Sequence, residues 1–385
     1  MQLSMVVVIV IIVWIISAVS IVFIMAVGYI VNVGRRSQSL SKVDLLIIQI
    51  TTIGNTTTYD IAKRVREMNS KMNLPIEIWV VIDEGTDFKG SRYIDRIITV
   101  PKSFRSRARY KARALEYARL YRLDLIRKGL LSIRYRVLYL DDDSIPTEGF
   151  INDCFYRGDF DILETVIYPR NRGSRLYTFL DYTRASACLT WCSLFQTLSK
   201  PVWVHGEGMC VNSEADEAIS WDFDSKAEDL VYGQIAVSNG FRMGFSYSGV
   251  NITSPLTARD FLRQRRRWTW GIIDSLHILP LGSRIRTSIA IMFGFLIFPS
   301  STLFAVLTAL NIIYLDPLCY VMGIIAMILW LIHWGVTGYM IGRKPWYFIL
   351  GLLASYPSSF WTFITTFIAI LRRPPERFEI IKKKV

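Results

Sequence analysis

The sequence predicts an α/β domain with a mostly parallel, Rossmann-like sheet, joined to an α-helical membrane domain with interface helices. Three observations predict it. The chain is strongly apolar, with 52% hydrophobic residues over 385 positions and a mean hydropathy of +0.31, beyond what a soluble domain ordinarily carries. From about Val43 to Ser254, apolar runs of strand length alternate with helix-spaced segments. Two of those runs end in carboxylates, at Asp83 and at Asp141-Asp142-Asp143.

The first element, within residues 1–40, is the apolar run Met5 to Val33. At about 1.5 Å per residue it exceeds a hydrocarbon core of about 30 Å, so it can span with tilt. A cleaved signal peptide is disfavoured, because no basic stretch precedes the run and it is longer than a signal core. Arg35 and Arg36 follow it. Positive charge stays inside, which sets the amino terminus outside and the next domain in the cytosol of an integral membrane protein.

Residues 41–256 form the α/β domain. Asp44 to Ile50 is an apolar run of strand length that ends in Thr51, Thr52 and Gly54. Tyr59 to Met72 has helical spacing, with Ile61, Val65 and Met68 on one face. Ile76 to Ile82 is a second strand, ending in Asp83. Arg113 to Lys128 reads as a helix, and Tyr135 to Leu140 as the strand that delivers the three aspartates. This order implies parallel strands with right-handed crossovers. It sets both acidic strand ends at the carboxyl edge, where such sheets bind nucleotides. No Gly-x-Gly-x-x-Gly or Walker sequence is present, which weakens NAD and P-loop readings.

Residues 257–284 mix Arg with Trp, Phe and Leu, as in-plane interface helices do. Residues 285–385 hold three apolar stretches, Ile285 to Leu315, Pro317 to Ile341 and Trp346 to Leu371. Arg343-Lys344 and the basic tail at Arg372-Arg373 and Lys382 to Lys384 both favour the cytosol, yet one crossing between them would separate them. Tyr356-Pro357-Ser358-Ser359 interrupts the last stretch and Pro299-Ser300-Ser301 the first, each a predicted helix break. The expectation is two crossings here, with Trp346 to Leu371 re-entrant or interfacial. None of the three stretches carries an internal charge, which argues against an ion pathway.

Three adjacent carboxylates repel one another and call for a cation. Mg²⁺ and Mn²⁺ prefer carboxylate and water oxygens, often shared with a substrate phosphate. A solvated acidic turn before Pro146 is the plainer alternative. The net charge of +13 suits nucleic acid, or anionic headgroups and phosphate-bearing substrates. The membrane segments favour the second and exclude nucleic acid as a partner. From Lys102 to Arg136 there are twelve Lys/Arg and two acids, either a solvated face or a phosphate contact. Lys111 and Arg113 are the candidates for a diphosphate. The five cysteines lack metal-ligand spacing. Cys188 and Cys192 read as small packing residues, and His205-x-Glu207 is too sparse for zinc.

Asp83, the Asp141-x-Asp143 pair, Glu228-Asp229 and Gln264-Arg-Arg-Arg267-Trp268 occur in this order and are followed by apolar helices. Together they resemble the membrane-embedded family 2 glycosyltransferases, the group of cellulose, hyaluronan and mannan synthases. Val100 to Arg105, Lys111 to Ala118 and Ser254 to Gln264 look most like the egghead-type β-1,4-mannosyltransferases. The likeness covers about Val43 to Gly271. It implies a GT-A fold, a nucleotide-sugar donor, Mn²⁺ or Mg²⁺ as cofactor, and inversion at the anomeric carbon. The first strand ends Thr51-Thr52-Ile53-Gly54 where the family has Pro-x-x-Asn-Glu.

On this resemblance Asp143 is the firmer metal ligand, Asp141 contacts metal or ribose, and Asp83 contacts base or ribose. Asp142, between two alternating neighbours, faces away. Asp229 is the general base, with a helix first-turn acid as the plainer alternative. Glu228 points elsewhere and is structural. Gln264, Arg267 and Trp268 form the acceptor and diphosphate wall, and Gly206 marks a close backbone approach near the acceptor. The function implied is transfer of a hexose, with mannose from GDP-mannose favoured. The expected acceptor is a lipid-linked polyprenyl or dolichyl phosphate, because so few helices can hardly enclose a polymer tunnel. The alternatives are a processive β-glycan synthase and a membrane-anchored binding protein with a dead nucleotide-sugar pocket.

Overall fold

The computed structural model describes residues 19–20, 23–34, 43–170, 173–310 and 317–374. Most of the expected amino-terminal anchor, Arg35-Arg36 and the tail from residue 375 lie outside them. Helix α1 is Phe23–Gly34. The α/β domain then runs β1 (Leu45–Thr51), α2 (Thr57–Met72), β2 (Ile76–Asp83), β3 (Arg96–Val100), α3 (Tyr110–Arg127), β4 (Tyr135–Asp141), β5 (Ile145–Pro146), α4 (Glu148–Tyr156) and β6 (Ile162–Arg170). Short helices α5 (Arg175–Leu180) and α6 (Tyr182–Ala187), a π-helical turn (Cys188–Cys192) and α7 (Ser193–Thr197) follow. Next come β7 (Met209–Asn212), α8 (Ser213–Ala218), α9 (Glu228–Ser238) and β8 (Met243–Thr253). Four helices complete the described chain: α10 (Ala258–Ser275), α11 (Leu281–Ala309), α12 (Pro317–Gly342) and α13 (Pro345–Leu371).

The strands form one sheet in the order β3-β2-β1-β4-β7-β6-β8-β5. β3, β2, β1 and β4 are all parallel. β7 pairs antiparallel with both β4 and β6, while β6 and β8 are parallel. The sheet is thus mixed and mostly parallel, as expected. Alternation along β1 assigns its two faces. Leu46, Ile48 and Ile50 pack with Ile61 and Val65 of α2, whereas Ile47 joins Trp79, Val81, Leu115 and Ala118 on the α3 side.

The basic run is only partly a solvated face. Arg122 of α3 is fully buried and makes a two-bond pair with Asp216, donating from Nε at 2.7 Å and Nη2 at 2.8 Å. The hydroxyls of Tyr135 and Tyr139 donate to the same carboxylate at 2.8 and 2.6 Å. Arg119 pairs with Glu116. These carboxylates turn two of the arginines inward, because a buried charge must be neutralised and hydrogen-bonded.

Both predicted helix breaks are corrected. α11 runs unbroken through Pro299, and α13 is one helix of 27 residues with Pro357 inside it. A proline removes one backbone donor, and in apolar helices packing and serine hydroxyls compensate. Near Pro357 both Ser355 and Ser359 return hydroxyl bonds to backbone carbonyls. Tyr320–Gly342 and α13 are each long and apolar enough to cross a membrane.

α12 and α13 form a hairpin that closes tightly at Gly338 and Gly351, where a Cβ on Gly338 would stand 2.7 Å from the Gly351 Cα. α13 rests on the α/β domain along its length. Near its start Arg343 reaches the Tyr168 hydroxyl and the Tyr247 carbonyl, both at 3.4 Å. Midway the Ser358 hydroxyl donates to the Phe179 carbonyl at 2.9 Å. At its end the Trp270 indole donates to the Ala369 carbonyl at 2.8 Å, and Arg373 pairs with Asp274 at 3.0 Å. The opposite face exposes Trp346, Ile349, Leu353, Phe360 and Phe367, one stripe at helical spacing, with Tyr356 at its border with the cavity.

Candidate active site

The carboxyl ends of β1, β2 and β4 deliver Thr52, Asp83 and Asp141 to one cavity of about 1240 Å³. Asp142, Asp143, Gly206, Glu207, Glu228, Asp229, Arg267 and Trp268 line it too. It continues between Val306 of α11, Met327 and Trp330 of α12, and Tyr356, Phe363 and Ile370 of α13. One cavity therefore joins a carboxylate-rich sheet edge to an apolar wall.

Lys111, at the start of α3, is the cation at the centre. Its Nζ lies 2.5 Å from Asp141 Oδ1 and 3.5 Å from Glu228 Oε1. Burial opposes its charge, but Asp141 and Glu228 more than offset that and hold its pKa above the ordinary lysine value. Glu228 is thus a cavity residue, and the expectation that it points elsewhere is corrected. Its position at the first turn of α9 aims it at Lys111 across the cavity floor. Burial pushes Glu228 up to about 7, against the pull of Lys111.

Asp229, the next residue, is held by two backbone donors. Gly206 N–H donates to Oδ2 at 2.6 Å and Leu230 N–H to Oδ1 at 2.8 Å. Burial raises its pKa, with Lys111 opposing and Glu207 reinforcing. Gly206 is a close-approach position: a Cβ there would lie 2.9 Å from Lys111 Nζ and 3.2 Å from Asp229 Oδ2.

The three aspartates divide. Asp141 is engaged by Lys111, and Asp143 is 6% exposed with its carboxylate 3.4 Å from the Ser144 hydroxyl. Asp142 faces the cavity rather than away, and Thr52 Oγ1 donates to its carboxylate at 2.9 Å. Thr57 Oγ1 donates to the Asp142 carbonyl. These contacts are possible because β4 ends at Asp141, so the strict alternation assumed for the next two residues no longer applies. Asp141, Asp142, Asp143, Glu228 and Asp229 bring five carboxylates, all hard oxygen donors, to the cavity that holds Lys111. Such a donor set fits Mg²⁺ or Mn²⁺.

Two candidates stand behind the wall. Arg113 does not line the cavity; it pairs with Asp83 Oδ1 at 2.9 Å and donates to the Pro101 and Phe104 carbonyls. Gln264 is 1% exposed, away from the lining, on the face of α10 that packs inward. Trp268 does line it, with the guanidinium groups of Arg184 and Arg265 at 4.7 and 4.9 Å from its ring centroid. Arg184 pairs with Glu207 at 2.8 Å and Arg265 with Asp181 at 2.9 Å. Burial pulls Arg265 down to about 10. Sequence reasoning missed Arg184 and Arg265, and it weighed Glu207 only as half of a sparse zinc pair with His205. Arg265 sat within the Gln-x-x-Arg-Trp stretch at a position the motif leaves open, and Arg184 gave no sequence signal.

A sequence model of glycosyl transferase family group 2 matches residues 136–353, more than half of the chain. The chain is 26% identical over 279 residues to "Beta-1,4-mannosyltransferase egh" of Drosophila melanogaster, covering 67% of this chain and 58% of that relative. It is 29% identical over 196 residues to "Beta-1,4-mannosyltransferase bre-3" of Caenorhabditis briggsae, covering 47% and 42%. The chain therefore spans little more than half of these relatives' own length at most. Among solved structures, it is similar to a mannosyltransferase from Pyrobaculum calidifontis in complex with GDP-Man and Mn²⁺, with a TM-score of 0.45, 14% identity, and coverage of 92% of this chain and 98% of that one. A mannosyl-3-phosphoglycerate synthase from Rubrobacter xylanophilus gives 0.38 and 12%, covering 61% and 74%. By the match over residues 136–353, the chain belongs to glycosyl transferase family group 2.

Proposed function

We propose that the protein is an inverting, metal-dependent glycosyltransferase that moves mannose from GDP-mannose to a lipid-linked acceptor at the cytosolic membrane surface. The observation that carries this reading is the single cavity, acidic at the sheet edge and apolar between α11, α12 and α13. A phosphate-bearing donor suits the first end and a hydrocarbon-bearing acceptor the second. The names of the relatives, both β-1,4-mannosyltransferases, favour mannose.

In this reading Asp229 takes the proton of the acceptor hydroxyl as that oxygen bonds to the anomeric carbon. The bond from that carbon to the diphosphate oxygen breaks, and its electron pair leaves with the nucleotide. The two backbone donors on Asp229 fix its orientation, and one displacement at one carbon inverts it. Lys111 stands where the leaving diphosphate gathers charge. Asp143, with Asp141, would hold Mn²⁺ or Mg²⁺, which supplies further stabilisation of that charge. Asp83 bounds the nucleoside end, and Trp268 offers an apolar face to the sugar. α13, resting on the domain at both ends with its apolar stripe outward, lies in the interface plane.

A donor panel tests the assignment. With Mn²⁺ and a polyprenyl phosphate acceptor, GDP-mannose is expected to be consumed in preference to UDP-glucose, UDP-GlcNAc and GDP-fucose, and EDTA to stop transfer. Preference for a UDP-sugar would overturn the donor assignment. Gly206→Ala is expected to slow transfer by on the order of 10–100-fold through displacement of Lys111 and Asp229, with the melting temperature little changed. A fully active variant would show that this approach is not needed for turnover.

A further inference from the structure

In the cavity wall, where His205 is a lining residue, the π-helical turn and the segment before β7 bring three donors together. Cys188 Sγ lies 3.5 Å and Cys192 Sγ 3.4 Å from the same atom, His205 Nε2. All three ligand atoms fall within 4.8 Å of one another, both cysteines are buried, and the imidazole is half-buried. We propose that Cys188, Cys192 and His205 form a zinc site, separate from the oxygen-rich carboxylate cluster.

The geometry argues for an ion. One ring nitrogen has one lone pair or one proton and faces both sulfurs, so without an ion one thiol depends on the Cys188–Cys192 hydrogen bond. A single ion between the three atoms satisfies all of them. Tetrahedral zinc with Zn–S of about 2.3 Å and Zn–N of about 2.0–2.1 Å requires S···N separations of about 3.6 Å, close to those observed. The charge argues for a divalent one, since two thiolates and a neutral imidazole around Zn²⁺ sum to zero, as a buried position requires. Without the ion, Cys188 lies below the ordinary thiol range, chiefly through its hydrogen bond with Cys192. Burial lowers His205, but the Cys188 thiolate outweighs it and pushes the imidazole up to about 10. Zinc would displace that proton. Among the described residues no fourth His, Cys, Asp or Glu joins the group, which leaves one tetrahedral position for water.

The surrounding structure supports the donors. The Ser193 N–H bonds the Cys188 carbonyl, five residues back, which is the widened turn that turns both sulfurs toward His205. Glu164, buried in β6, accepts the His205 backbone N–H at 2.6 Å and is itself bonded by Gln196. The next backbone N–H, that of Gly206, holds Asp229. An ion here would pin the turn to the segment that orients Asp229.

The test uses the purified full chain in detergent. After zinc-supplemented expression and desalting into buffer with excess Mg²⁺ to clear weakly held metal from the carboxylates, close to one zinc per chain is expected to remain. The double variant Cys188→Ser/Cys192→Ser is expected to lose it, and His277→Gln, at an exposed histidine between α10 and α11, to keep it. Since the double variant can misfold, cobalt supplied to the unaltered chain is the second measurement. Sulfur-to-cobalt charge-transfer absorption is expected, a signature that oxygen ligands at the aspartates cannot give. Zinc content equal in parent and double variant, or a parent chain that yields no such absorption with its thiols reduced, would overturn the proposal.

Discussion

Asp229→Asn is expected to lower the transfer rate by about 10²–10⁴-fold, while donor affinity stays close to that of the parent. The amide keeps the size of the side chain, and one oxygen can still accept the Gly206 N–H, bonded to Asp229 Oδ2 at 2.6 Å. What it loses is the capacity to take a proton. The buried charge near Lys111 also drops by one, which leaves the lysine still paired with Asp141 at 2.5 Å. The fold should therefore survive. Initial rates with labelled GDP-mannose, alongside donor binding by calorimetry, separate the two effects. A variant with parental kcat would remove Asp229 from the chemistry and return it to the role of a first-turn helix acid.

The part of this site carried by local pattern was legible in the sequence. The expected strands 44–50, 76–82 and 135–140 are found at Leu45–Thr51, Ile76–Asp83 and Tyr135–Asp141, and the intervening helices at Thr57–Met72 and Tyr110–Arg127. Period-2 runs and 3.6-spaced faces are short-range signals, and they set the acidic strand ends on one edge. Contacts across the chain were not legible. Lys111 meets Glu228 more than a hundred positions away, and Glu207 meets Arg184 from opposite sides of the π turn. Nor does periodicity say whether an arginine on a basic helix faces solvent or a buried acid, as Arg122 with Asp216 demonstrates. Cys188, Cys192 and His205 lack metal spacing in sequence because two come from a turn and the third from a separate segment. The prolines misled for a related reason: a break is predicted from the lost donor alone, whereas α13 is held by its packing along the domain.

Asp143→Asn is expected to weaken Mn²⁺ activation by on the order of 100-fold or more, since outer-shell changes already cost 10–100-fold in metal affinity. Asp141→Asn is expected to cost less in metal activation. Asp141 already shares its charge with Lys111 at 2.5 Å. Asp143 is nearly buried at the strand end. Titrating Mn²⁺ into EDTA-stripped protein while following initial rates gives the activation constant of each variant. If Asp141→Asn raised that constant and Asp143→Asn left it unchanged, the two roles would be reversed. Equal small effects would move the metal to other oxygens of the cavity, with Glu228 the first alternative.

The central claim is that one cavity serves both substrates, with the donor at the acidic sheet edge and the acceptor's hydrocarbon tail along the apolar wall. The most direct measurement compares kcat/KM for two acceptors with the same headgroup, one carrying a polyprenyl tail and one cut to a few carbons. Both are supplied to the protein in detergent micelles with GDP-mannose and Mn²⁺. A large loss on removing the tail is predicted, and Phe363→Asp on the α13 wall is predicted to reduce the difference between the two. Equal kcat/KM for the long and short acceptors would contradict the claim and reduce the apolar wall to part of the membrane anchor.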